Sequence, residues 1–358
     1  MILQLTLFEN GLPVNSFLCS DYAISADYLS NDTSTFQVSQ SQNVQAGDFL
    51  LAKAQGDSRV LFYGQIESVD HDSTADVDTV TARFIYNLLN GDIIVTNKTG
   101  TSYEAHLVNL INNYVSSMAR NSPFYEIQAQ SNTAFAVSTT DNIKTYNLVD
   151  YLIRGFKLHN VVMSVRDVIA DENYVPAHYR PEIQLKQITD KLTLKDTAAA
   201  LTNWSIQNSE LTRGYANELW IVDQASTDME NPTVLDRYWL QTDGTIVHAI
   251  NSNVIQPTKV VISLFDKTAT DNLSYAQIAT NTLTGNAYSH LIQFDVLRDN
   301  NVIDVDQLVI GTLTTIIYHG QTYNSVLSGY LFSSDSDYVT LMFGNIRNTL
   351  KDVMNSDN

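Results

Sequence analysis

The chain is poor in cysteine and in charged residues. Cys19 is the one cysteine among 358 residues, so an intramolecular disulfide and a zinc site built from several thiolates are both excluded. Cys19 lies in a strand-like run, and we expect it to be a small buried residue. Charged residues make up 16 % of the chain, below the usual share of about a quarter.

Basic residues are the scarcer of the two charged classes. The chain has 20 Lys and Arg against 39 Asp and Glu, which gives a net charge of −19. Such a chain has no electrostatic footprint for wrapping nucleic acid. It also lacks the basic amphipathic face that binds anionic lipid. The simplest interpretation of the charge is solubility.

Targeting signals are also missing from the sequence. The N-terminus has no basic segment before an apolar one, and no apolar run is long enough to span a bilayer. We therefore predict neither a signal peptide nor a membrane span, and we expect folding in a cytoplasm.

No familiar catalytic motif occurs. The sequence contains no nucleophile elbow, no phosphate-binding loop and no dinucleotide fingerprint. No two of its seven histidines have the spacing of a zinc-binding helix. Cys19 could act as a thiol nucleophile beside a distant histidine, but with seven histidines spread along the chain such a pairing is hardly informative. The histidines are His71, His106, His159, His178, His248, His290 and His319. We predict no catalytic residue, no cofactor and no metal site.

Pairs of aspartates and the three tryptophans leave two other kinds of site open, a cation site and a sugar-binding site. The pairs Asp76/Asp78, Asp304/Asp306 and Asp335/Asp337 could each hold a hard cation, but acidic turns of this kind are more often only turns. Trp204, Trp220 and Trp239 could stack on sugars, although Trp220 and Trp239 lie in apolar strands and are expected in the core. A hydrolase whose carboxylates meet only in space is a further alternative.

The sequence does contain hydrophobic patterns that are typical of strands and helices. Hydrophobic residues make up 44 % of the chain, which at this length predicts two to four domains. Short strands separated by Gly, Asn and Asp turns, among them a hairpin turn at Glu9–Asn10–Gly11, fill the first 97 residues and return after residue 181. The apolar spacing of 101–120 predicts a helix with a Thr101–Glu104 capping box, and 147–158 predicts a second helix.

These patterns predict an α+β, mainly β fold. Two small β-barrel domains flank an α-containing and a mixed middle domain. The predicted segments are 1–98 for the first barrel, 99–180 for the α-containing insertion, 181–255 for the mixed β domain and 256–358 for the second barrel with a short helical insertion and a C-terminal tail.

Several segments resemble a known family. They are 61–69 (LFYGQIESV), 87–95 (NLLNGDIIV), 285–294 (GNAYSHLIQF), 318–330 (YHGQTYNSVLSGY) and 338–347 (YVTLMFGNIR). They are similar to segments of bacteriophage tail baseplate hub proteins, a family that includes contractile-tail hubs and the N-terminal part of tail-associated lysins. The segments resemble those of hub proteins from phages of Gram-positive bacteria. It covers both ends of the chain well and the middle only by the order of elements.

The resemblance implies a structural role at the tail tip. Family members carry two barrels per chain and form homotrimers, so that six similar units dock on a hexameric distal tail protein. Other implied partners are the tape-measure protein terminus or receptor-binding baseplate proteins. DNA passes through transiently without specific binding, and the resemblance suggests acidic loops such as 70–78 or 299–306 along its path. A carbohydrate- or receptor-binding tail protein is the alternative.

Longer members of the family continue into a peptidase, a lysozyme-like domain or a fibre. This chain ends soon after the segment that resembles the family's last strand. We therefore expect the short form, without a cell-wall hydrolase, and a longer parent protein stays open as an alternative.

The missing motifs lead to a first prediction. The purified protein should leave peptidoglycan intact, and a chelator should leave its melting temperature unchanged, because no thiolate or histidine cluster is available to hold a metal. A cell-wall gel assay and thermal unfolding with and without EDTA check both parts. A reproducible clear zone that one carboxylate substitution abolishes would contradict the first.

Overall fold

The fold is taken from a computed structural model, which describes residues 1–30, 32–72, 74–95, 99–118, 123–136, 144–208, 215–228, 230–256, 258–269 and 272–347. The predicted mainly β, α+β class is confirmed. None of the helices in these ranges is long and apolar enough to cross a membrane.

The N-terminal part of the chain forms seven antiparallel strands. Asn10 and Gly11 adopt positive φ angles of 50° and 82° in the predicted hairpin turn between the first two. Strands β1 to β7 are Leu3–Glu9, Leu12–Cys19, Tyr22–Asp27, Thr33–Ser39, Phe49–Ala54, Val60–Asp72 and Val77–Phe84.

The next part contains both expected helices and a hairpin that the sequence patterns did not reveal. Helix α1 is Tyr103–Met118 and α2 is Leu148–His159. Strands β8 to β12 are Asp92–Val95, Glu126–Ala129, Lys144–Asn147, Val161–Asp171 and His178–Gln187. The hairpin β11–β12 was missed because a bulge between Val165 and Asp167 breaks the apolar alternation of its first strand.

The described residues after Gln187 contain strands β13 to β22 and helix α3. Helix α3, Tyr275–Leu283, begins with a capping box between Ser274 and Gln277. Strands β13 to β22 are Lys191–Lys195, Leu201–Asn208, Glu218–Asp223, Val234–Leu240, Ile246–Val247, Val260–Phe265, His290–Leu297, Leu313–Tyr318, Gln321–Ser333 and Tyr338–Phe343.

One capping detail differs from expectation. The hydroxyl of Ser102, not of Thr101, accepts a hydrogen bond from the Ala105 amide at the start of α1. Glu104 does not close a capping box. Its buried carboxylate accepts hydrogen bonds from Ser131 and Thr133 instead, which ties the helix to the loop after β9. The predicted end of this helix, residues 119 and 120, lies outside the described residues.

One sheet of 13 strands connects the two ends of the chain. Its order is β14-β19-β22-β21-β3-β4-β7-β6-β5-β1-β2, with β20 on β21 and β13 on β20. The join is the antiparallel pairing of β3 with β21, which sets Gly329 opposite Asp27 and Ser333 opposite Ala23. No ladder closes either group of strands into a barrel among the described residues.

The join also unites the hydrophobic core. Phe36 and Phe62 from the N-terminal strands belong to the same buried cluster as Phe294 and Phe343 from the C-terminal strands. A second cluster packs α1 and α2 against the hairpin β11–β12. Burial of these faces is the main stabilising contribution to such a fold.

The remaining strands form a separate small sheet. Its order is β17-β16-β15-β18, and α3 covers one of its faces through Leu219, Ile221, Ala279 and Leu283. The strand Val260–Phe265, which we expected at the start of the second β block, pairs in parallel with Glu218–Asp223 in this sheet. Its alternating apolar residues fit either sheet, so periodicity alone could not choose its partner.

A buried ion pair reinforces the join of the large sheet. The Arg347 guanidinium donates to both carboxylate oxygens of Asp27, at 2.5 and 3.0 Å, and to the Ser328 hydroxyl at 2.9 Å. The side chains of Asp27 and Arg347 are 2 % and 10 % exposed. Charge-assisted, two-pronged bonds of this kind are among the strongest in proteins.

The second prediction concerns this ion pair. Arg347→Met leaves the Asp27 carboxylate buried without its cation, so it should lower the free energy of unfolding by about 3–5 kcal/mol. Urea unfolding measures the change. Arg83→Met, at the more exposed pair with Glu67, is the control and should cost no more than about 1 kcal/mol. Equal effects of the two variants would contradict the prediction.

Candidate assembly surfaces

The structure places Cys19 where it can do no nucleophilic chemistry. Its side chain is 1 % exposed, and its sulfur lies 3.1 Å from the Asp21 carbonyl oxygen and 3.4 Å from that of Gln37. Burial raises the pKa of the thiol, so Cys19 stays protonated at neutral pH.

Of the acidic pairs, Asp76 and Asp335 are turn residues, whereas Asp78 belongs to strand β7. Asp76 adopts a left-handed φ of 55°, whereas the buried Asp78 lies 2.7 Å from Nδ1 of His71. Asp335 accepts a hydrogen bond from Ser333 in the turn before β22. Within the described ranges, no group of three or more His, Cys, Asp or Glu side chains is placed to hold a metal ion.

The histidines are dispersed, and three of them lie in packed surroundings. His106 is buried, with Nε2 3.1 Å from the Tyr151 hydroxyl and Nδ1 2.9 Å from that of Thr99. His159 lies against the Tyr103 ring at 4.4 Å, and Nε2 of His290 is 2.8 Å from the Ser325 hydroxyl. Burial lowers the pKa of both His159 and His290 to about 4.

The three tryptophans give no open platform for a sugar. Trp204 packs on Phe294, and Trp239 is 8 % exposed, as expected for the core. Trp220 is half-buried rather than fully buried, and Arg237 covers its ring at 4.2 Å. Each ring has lost a face that carbohydrate stacking would use.

An apolar cavity of about 360 Å³ opens beside the join of the large sheet. It lies between β6, the end of β7, the base of the hairpin β11–β12 and the loop 308–310. Its aromatic wall consists of Tyr28, Tyr63, Phe84, Tyr86 and Tyr330. Burial raises the pKa of Tyr28, Tyr63 and Tyr86, so these phenols are neutral.

The cavity has a few polar groups along its apolar lining. Arg59, Lys186 and Asp190 contribute two positive charges and one negative charge, in a chain whose net charge is −19. A cavity of this size and character typically receives an apolar group. The sequence did not reveal it, because its walls come from seven separate parts of the chain.

Two exposed apolar features lie elsewhere. Val175, at the tip of the hairpin β11–β12, is 98 % exposed. On β18, the residues Val260, Ile262 and Leu264 point from an edge strand into solvent, with 42, 57 and 65 % exposure. A contiguous row of exposed apolar residues, such as that on β18, is typical of contact surfaces.

Comparisons with known proteins were made by sequence and by structure. No family profile and no curated protein matches the sequence. A chain of the phage P2 baseplate, in its activated conformation with Ca, matches 97 % of this chain and 100 % of its own at 13 % identity and a TM-score of 0.51.

Two bacterial tail proteins are similar as well. A tail protein from Neisseria meningitidis MC58 matches over 96 % of both chains, at 12 % identity and a TM-score of 0.54. The 43 kDa tail protein of prophage MuSo2 from Shewanella oneidensis matches 96 % of this chain and 98 % of its own, at 9 % identity and a TM-score of 0.55. The chain therefore has the fold of phage baseplate and tail proteins, which confirms the resemblance at the level of the fold.

The buried histidines lead to the third prediction. His159 and His290 are neutral in the folded chain, whereas the unfolded chain takes up protons on them below a pH of about 6.5. Their contribution to stability is therefore complete above that pH and is lost as the pH falls toward 4. His290→Gln should reduce the loss by about 1–3 kcal/mol.

Urea unfolding at neutral pH and near pH 4.5 provides the measurement. His248→Gln is the matched control, because the His248 side chain is 67 % exposed. If wild type and His290→Gln lose stability in parallel, the buried imidazole is not the cause.

Proposed function

We propose that this chain is a structural hub protein of a phage tail tip, which forms a trimeric ring or plug, docks on the distal tail ring and closes or guides the DNA exit channel. The observation that carries the proposal is the likeness of the fold to tail and baseplate proteins over nearly the whole chain. The two groups of antiparallel strands joined by β3 and β21 support it. Three copies would present six such groups to a six-fold tube.

A non-enzymatic role agrees with the chemistry of the described residues. The cysteine is buried, Asp76 and Asp335 lie in turns, Asp78 is buried in β7, and the histidines with lowered pKa are parts of packed surroundings. In this proposal the polar side chains position strands and loops, and function comes from surfaces.

The partners and the place of action belong to the same proposal. The ring docks on a hexameric distal tail protein and meets the tape-measure protein terminus or receptor-binding baseplate proteins. It is assembled in the host cytoplasm and works at the virion tail tip. The division of the chain into segments 1–98, 99–180, 181–255 and 256–358 also stays a proposal.

Passage of DNA gives the acidic charge a role. A lumen lined by Asp, Glu and neutral polar groups does not grip phosphates, whereas one lined by Lys and Arg would. The end of the β6–β7 hairpin is a candidate lining, because Asp70, Asp72 and Asp76 are all exposed there. The loop 299–306 is the second candidate.

The fourth prediction is the assembly state. Light scattering of the protein alone should give a mass of about three times the 40.0 kDa of one chain. If the trimer forms only on the isolated hexameric ring, the mass of the ring should increase by that amount. Because each copy carries −19, low salt should weaken the trimer and moderate salt should strengthen it. A monomer at high concentration, with and without the ring, would rule out this assembly.

A further inference from the structure

The hairpin β11–β12 displays an apolar tip. Asp171 pairs with His178 at its end, and the six residues 172–177 form the tip. Val175 has the highest exposure of the large apolar residues that the structure describes, at 98 %. Glu172, on the same tip, is also exposed.

Side-chain contacts brace this tip. The Tyr174 ring stacks on His178 with centroids 4.4 Å apart, and the Arg180 guanidinium lies 5.1 Å from the centre of the same ring. Arg180 also forms an ion pair with the buried Asp171. A segment ordered in advance loses less conformational entropy when it binds.

The amide groups next to the tip are fixed in the same way. The Asn173 backbone and side-chain amides donate to Asp171 at 3.1 and 2.8 Å. At the other side of the tip, the Tyr179 amide donates to the carbonyl oxygen of Gly11 at 2.6 Å, which anchors the hairpin to the β1–β2 turn. Val175 is thus presented by a braced loop.

The cavity beside the sheet join offers a complementary surface. It can hold a valine and a proline side chain, and its tyrosines provide an apolar wall. Lys186 is exposed at the cavity, with Arg59 half-buried nearby in the lining. An apolar segment that carries a negative charge fits this site best, and the tip with Val175, Pro176 and Glu172 has that character.

The tip cannot reach the cavity of its own chain. The cavity is lined by the base of the same hairpin, including Met163, which pairs with Leu185. Asp171 lies eight residue steps along β11 from Met163, so the tip lies roughly 25 Å away along a paired hairpin. A contact between tip and cavity has to join two copies.

We propose that the tip 172–177 of one copy docks in the cavity of the next copy, with Val175 and Pro176 among the tyrosines and Glu172 beside Lys186. This inference rests on the proposed trimer and names the contact that forms it. A contact between two different surfaces of the same chain is heterologous, and three such contacts close a ring.

Charge exchange tests the pairing of Glu172 with Lys186. Glu172→Lys and Lys186→Glu should each raise the concentration at which trimers form by at least about tenfold, because each places like charges together. The double variant, which restores opposite charges and the original net charge, should regain most of the loss. Glu230→Lys and Lys191→Glu change the net charge equally at exposed sites outside both surfaces and serve as controls.

Cross-linking tests the contact itself. The native Cys19 is buried, so Val175→Cys and Val309→Cys can be combined and treated with a short bis-maleimide. The double variant should yield covalent trimers. A mixture of the two single variants should yield dimers, and either single variant alone should yield none.

These experiments distinguish failure of the proposed contact between tip and cavity from failure of the proposed trimer. If light scattering shows a trimer but the double variant does not cross-link, or if the charge exchange acts no more strongly than its controls, the docking is wrong and the trimer stands. A chain that stays monomeric, alone and with the distal ring, overturns both.

Discussion

The antiparallel pairing of β3 with β21 is the interaction on which the rest of the structure depends. It joins strands that lie some 300 residues apart in sequence, about as far apart as this chain allows. Closing so long a loop costs conformational entropy, which local contacts cannot offset. The shared core around Phe36, Phe62, Phe294 and Phe343 and the buried Asp27–Arg347 pair supply the compensating stability at the join.

This arrangement also explains why the chemistry of the chain is dispersed. The large sheet uses its polar side chains to complete a backbone framework: Ser328 and Asp27 bind Arg347, and Ser325 meets His290. Among the described residues, Cys19, His106 and His290 are likewise held by contacts within the fold. The apolar features described above lie away from the core of the sheet, on a hairpin tip, at an edge strand and in a cavity.

Local patterns allowed a good part of the fold to be predicted. The Asn10–Gly11 turn and the helix from Leu148 are encoded by neighbouring residues and are found close to where they were expected, and the short helical insertion expected within 256–358 is Tyr275–Leu283. The parts that sequence could not reveal depend on partners far away. The pairing of β18 with β15 has no local signal, and the cavity exists only after distant segments meet.

The candidate site was therefore less predictable than the fold. Its residues carry no motif, since Tyr63 and Tyr86 look like ordinary core residues and Val175 looks like an ordinary loop residue. Their meaning comes from exposure and position, which only the folded chain defines. The family resemblance indicated a tail protein with contacts between copies, but it gave no residue for those contacts.

The edge strand β18 has a consequence for the life of the chain before assembly. Residues 259–265 (KVVISLF) contain no proline, and their one charge, Lys259, stands at the first position, so the strand lacks most of the devices that keep natural edges from pairing with strangers. An uncovered edge of this composition is a nucleus for aggregation. The net charge of −19 opposes this pairing, because newly made chains repel one another once they approach within about 10 Å. The acidic composition thus limits association of free chains through this edge.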